Sequence, residues 1–135
     1  MAPDSVVTRE GVATLAFVET LHDALSELAT RAPSIPEADF SLFSLAVIEI
    51  ATNIAVHGAR GEEDVKLAVE LSAGEALRAT LRDDAPPVDF DPTAQTMVDA
   101  LAESGRGLAL AAAVCDELSV ERRGGNLWKL ARHIG

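Results

Sequence analysis

Between Pro36 and Gly58 the chain carries apolar side chains on nearly every face of a helical projection: Phe40, Leu42, Phe43, Leu45, Val47, Ile48, Ile50, Ile54 and Val56. Pro36 suits the entry to a helix, Glu37 and Asp39 suit its positive N-terminal end, and Gly58 is a natural C-terminal stop. A helix that is apolar nearly all round belongs inside a protein, so the rest of the chain has to supply the layers that cover it. Two polar residues interrupt this segment. Glu49 and Asn53 stand four residues apart, on one face of the helix. Burying such groups costs stability unless they find partners, which marks both as candidates for chemistry.

The flanking segments supply the covering layers. Ser5 to Arg9 reads as a short edge strand that Gly11 breaks. Thr14 to Arg31 places Leu15, Val18, Leu21, Leu25 and Leu28 at helical spacing, which predicts an amphipathic helix. Val65 to Leu71 and Ala76 to Asp83 alternate apolar and polar residues around Ser72-Ala73-Gly74-Glu75, the signature of an antiparallel hairpin. Asp84 to Pro92 is too rich in proline and acid for regular structure. Thr93 to Glu103 contains one or two helical turns, Ser104 to Gly107 forms a glycine turn, and Leu108 to Cys115 continues as a helix. Glu117 to Arg123 and Leu127 to Arg132 then make a hairpin across Gly124-Gly125-Asn126. Hairpins imply antiparallel pairing, and the helices need one sheet face to cover. The predicted class is therefore α+β, a two-layer α/β sandwich with a mixed, mostly antiparallel sheet and helices on one face.

With 135 residues the chain reads as one domain, 1–135. Its formal net charge of −11 repels phosphate backbones and anionic lipid, which argues against nucleic-acid and membrane partners. No signal-type N-terminus is visible, no apolar stretch approaches the ~20 residues of a membrane span, and a cytoplasmic location is expected. The single Cys115 offers neither a disulfide framework nor a Cys-based zinc site, and reads as a small buried hydrophobe. His22 and His133 have no visible partner, and His57 reads as a cap on the end of its helix.

Three motifs stand in order. Glu49-x-x-x-Asn53 is followed by His57-Gly58; the strand ending at Asp83 runs into Asp84-Ala85-Pro86-Pro87-Val88-Asp89-Phe90-Asp91-Pro92; and Gly105-Arg106-Gly107-Leu108 opens an apolar helix. In this order they resemble the Bergerat-type ATP-binding fold of gyrase, MutL and histidine kinases, and within it the small stand-alone anti-sigma-factor serine/threonine kinases. The resemblance spans nearly the whole chain.

That resemblance implies roles. Glu49 would polarise the attacking hydroxyl or act as general base. Asn53 would supply its side-chain oxygen to Mg²⁺. Asp83 would accept a hydrogen bond from the adenine amino group, with Ala85 beside it, and Gly105, Arg106, Gly107 and Leu108 would hold the phosphates of ATP. The segment from Thr93 to Ser104 would be a lid. A sigma factor and an anti-sigma-factor antagonist would be the protein partners, and a homodimer is expected by analogy. Ala85 stands where the family usually has glycine. Because it precedes Pro86, a left-handed backbone there is disfavoured by roughly 1–2 kcal/mol. Two other readings follow from the same residues: a nucleotide-binding regulatory module without kinase activity, and the catalytic domain of a histidine kinase. The second lacks a helix pair with a phospho-accepting His ahead of the nucleotide helix.

Overall fold

The computed structural model describes residues 5–58, 61, 63–86 and 105–134. Five strands, β1 (Ser5–Val12), β2 (Lys66–Ala73), β3 (Ala76–Asp83), β4 (Glu117–Arg122) and β5 (Asn126–His133), form one sheet in the order β1-β2-β3-β5-β4. Three helices, α1 (Leu15–Arg31), α2 (Glu37–Gly58) and α3 (Gly105–Val114), cover one face of it. The fold is the two-layer α+β sandwich that the hairpins imply. All the strand pairings are antiparallel, so the sheet is not mixed.

Alternation along the strands sorts the residues into rows across the helix-facing side. Val7, Leu71, Ala79, Leu130 and Leu118 make one row, and Arg9, Val69, Leu81, Trp128 and Val120 the next. From α1 these rows receive Val18, Leu21, Ala24, Leu25 and Leu28, and from α2 Phe43, Val47, Ile50 and Ile54. Trp128 is fully buried and is the largest side chain in this core. α2 packs between α1 and α3, which is why its apolar residues surround nearly the whole helix. By length and composition alone α2 would suffice to cross a membrane, which overturns the expectation that no apolar stretch approaches that length.

Gly11 does not break β1. The strand continues to Val12 because the ring of Phe17 lies against Gly11, where a Cβ would meet Phe17 Cδ1 at 2.9 Å. Thr14 caps α1 by accepting the Phe17 N–H at 3.1 Å. The β4–β5 turn uses Gly124 at φ 72°, a left-handed conformation that a β-carbon disfavours.

Candidate functional site

Arg132 aligns the helices against the sheet. Its guanidinium lies 3.0 Å from Asp39 Oδ1 in the first turn of α2 and donates at 2.6 Å to the Val114 carbonyl at the end of α3. Both helices are thus pinned at the end of the sheet where β5 finishes. Measured along the elements, Asp39 to Asn53 covers roughly 21 Å of helix. Arg132 back to Asn126 covers roughly 20 Å of strand. Asn53 on α2, the start of α3 and the Asp83–Asn126 pair therefore share the opposite end of the domain.

At that end the sheet's inner face turns polar. The next row across reads Gly11, Leu67, Asp83, Asn126 and Arg122. Asp83 is 2% exposed, and its carboxylate is held by neutral donors. Oδ1 accepts from the Ala85 N–H and from Asn126 Nδ2, each at 2.9 Å. Oδ2 accepts from Trp128 Nε1 at 3.2 Å. The segment that follows is clamped to the β4–β5 hairpin. Arg122 Nη1 donates to the Ala85 carbonyl at 2.9 Å, and Asn126 Nδ2 reaches the Pro86 carbonyl at 2.9 Å. Ala85 needs no left-handed backbone, since no residue other than glycine has positive φ among the described residues. Replacing the usual glycine therefore costs no backbone strain.

Asn53 is 8% exposed, and its Oδ1 is a buried acceptor without a hydrogen-bond partner. Such an orphan costs about 1–3 kcal/mol and calls for an ion, a water or a ligand. One turn earlier, Glu49 is half-buried and its Oε2 fills the space that a β-carbon on Gly107 would need. The end of the Glu49 side chain lies over Gly107, and a β-carbon there would require the carboxylate to move.

The glycines of the third motif are helical, not a turn ahead of the helix. α3 begins at Gly105, three residues before the predicted start at Leu108. Leu108 is 8% exposed and belongs to the core, so only its backbone is available to a phosphate. The side chain of Arg106, and the segment from Pro87 to Ser104 that contains the expected lid, lie outside the described residues. His57 is exposed in the last turn of α2. Burial pushes the Cys115 thiol up to about 11, with Arg132 opposing and Asp116 adding to the shift, so it is no nucleophile at neutral pH. A recess of about 550 Å³ opens at the Asp83 end of the sheet, lined by Glu10, Lys66, Arg82, Asp84 and Arg123 among others. Glu10 and Arg82 sit on the strand face opposite the helices, away from Asn53 and Glu49.

The residues that sequence reasoning passes over are Asn126, Trp128, Arg122 and Arg132. The available signal was the alternation of β5, which puts Asn126, Trp128 and Leu130 on one face.

The donor set suits a magnesium–nucleotide ligand. Magnesium keeps several waters and takes the rest of its ligands from phosphate, so one orphaned carboxamide oxygen is an appropriate protein contribution. Among the described residues no three His, Cys, Asp or Glu side chains gather into a cage for a metal.

Residues 12–130 match the family described as "Histidine kinase-like ATPase domain". No curated protein matches the sequence. Among solved structures, the chain resembles the histidine kinase domain of the blue-light activated histidine kinase of Erythrobacter litoralis EL346, with a TM-score of 0.57 and 21% identity. The match covers 88% of this chain and 60% of that one, so this chain spans less than two thirds of that neighbour's length. At this identity the likeness speaks to the fold alone.

Proposed function

The chain belongs to the histidine kinase-like ATPase domain family, and from that premise we propose that it is an ATP-dependent serine/threonine protein kinase that acts as an anti-sigma factor. In this reading it binds a sigma factor and phosphorylates an antagonist protein, switching partners as it does so. ATP binding with kinase-like chemistry is what the family supports; the rest is our reading of the site. The observation that carries it is the orphaned Asn53 Oδ1, one helical turn from Glu49, at the end of the domain where α3 begins.

Bound Mg·ATP would supply the transferable phosphoryl group and the charge neutralisation that its transfer needs. Asn53 Oδ1 is the protein oxygen free to hold the cation. The backbone N–H groups of the first turn of α3 would hold the phosphates. Asp83 fixes the base through an N–H donor. Glu49 takes the proton from a serine or threonine hydroxyl of the antagonist.

The test mixes the protein with Mg·ATP and a candidate antagonist and follows phosphate incorporation. Glu49→Gln should abolish transfer while ATP still binds. Asn53→Ala should lose the Mg²⁺-dependent part of ATP affinity. Full transfer by Glu49→Gln would remove Glu49 as the base. A second reading, a nucleotide-binding module that grips a protein without transfer, is favoured by the contact that holds Glu49 on α3. Tight Mg·ATP binding with no transfer to any antagonist would support it.

A further inference from the structure

The wiring of Asp83 goes beyond its expected contact with a base. A carboxylate offers about four lone-pair positions. Oδ1 accepts two N–H groups, from Ala85 and Asn126, and is saturated; Oδ2 accepts one, from Trp128. One position remains, on Oδ2. Because both oxygens are tied, the carboxylate cannot rotate to offer another. Its donors are all neutral and the residue is 2% exposed, so its negative charge has no paired cation among the described residues. A charge in that setting rewards a further N–H donor strongly and repels a carbonyl oxygen.

We infer that Trp128 and Asn126 are positioning residues for Asp83, leaving one acceptor position on Oδ2 that selects a base presenting an amino group over one presenting a carbonyl. The inference rests on the nucleotide reading above and deepens it. Trp128 has two roles: its rings fill the centre of the core, and its indole N–H sets the direction of the Asp83 carboxylate. Asn126 also donates to the Pro86 carbonyl, so it ties the carboxylate to the backbone of the adjoining segment. Selectivity then arises in the third row of the sheet, from a residue pair on β5 rather than from the loop after β3.

The chain has one tryptophan, so ¹⁵N-labelled protein gives one indole N–H cross-peak. Titration with Mg·ATP should move that proton upfield and saturate, because Oδ2 becomes shared between two donors. Mg·ITP, whose base carries a carbonyl where adenine carries its amino group, should leave it in place. Trp128→Phe keeps an aromatic ring and deletes the donor. It should raise the Kd for ATP about tenfold while changing that for ITP less than about twofold, so the discrimination between the bases shrinks. A merely structural Trp128 would weaken both nucleotides alike. Should the variant fail to fold, the titration of the native protein decides. ATP binding with a stationary indole peak overturns this inference alone. Absence of ATP binding by the native protein removes the nucleotide reading and this inference with it.

Discussion

At the scale of single residues, burial decides which groups carry chemistry. Cys115 and Asp83 are both shielded, with different results. The Cys115 thiol keeps its proton up to about 11, with burial as the largest cause and the Arg132 charge opposing it. Asp83 has three N–H donors on its two oxygens, so its buried acceptors are satisfied inside the protein. The thiol gives a direct test. In the folded protein at pH 8, iodoacetamide should label Cys115 on the order of 100-fold more slowly than in the urea-unfolded chain, because the thiolate fraction falls tenfold per pH unit. The linkage has a definite sign. The unfolded chain loses this proton near its ordinary value of 9.0 and the folded protein at about 11. The contribution to stability is complete below pH 9 and declines as pH rises toward 11. Equal labelling rates in the two states would place the thiol in solvent and remove the shift.

At the scale of elements, the junction of α2 and α3 brings the Glu49 side chain against Gly107. Gly107→Ala would put its methyl on Glu49 Oε2, and relief would come from moving the carboxylate or separating the helices. Because the colliding atom is the end of a flexible side chain, the substitution should cost less than about 1 kcal/mol by urea titration. Most of that cost should vanish in the Glu49→Ala background, since the colliding atom belongs to that side chain. Additive losses in the double variant would mean that the two residues do not touch. This junction also shows how much of the site could be read in advance. Glu49 and Asn53 were legible because a polar pair on an otherwise apolar helix is a local pattern, and Asp83 because it ends an alternating run. Gly105 and Gly107 were read as a turn because two close glycines look the same whether they free a backbone or admit a neighbour. Gly11 was misread for the same reason, since Phe17 that covers it belongs to another element. Trp128, Asn126 and Arg132 were not legible as parts of a site. Their meaning depends on β5 pairing with β3 and on α2 starting and α3 ending beside Arg132, contacts between segments far apart in sequence.

At the scale of the whole molecule, charge is the dominant asymmetry. The chain carries 22 acidic and 11 basic residues, a formal net charge of −11. Several of its cations are engaged in pairs that tie elements together, such as Arg9 with Glu27, Arg78 with Glu117, and Arg132 with Asp39. The Arg78–Glu117 pair is well exposed and the Arg9–Glu27 pair partly so, and each contributes little, about 0–1 kcal/mol. Self-repulsion of the acidic excess extends over the whole surface and is screened once the Debye length falls to about 10 Å near 0.1 M salt. The two effects respond to salt with opposite sign, and the excess of acid should win. Raising NaCl from about 50 to about 300 mM is therefore expected to raise the urea midpoint of the isolated protein. Binding of a basic protein partner should weaken over the same range, because the attraction that steers it is screened. A midpoint that falls with salt would show that the surface pairs outweigh the repulsion. Partner affinity indifferent to salt would show that recognition runs through apolar surface, for which Leu45 on α2 and Leu110 on α3, 38% and 44% exposed, are the first residues to substitute.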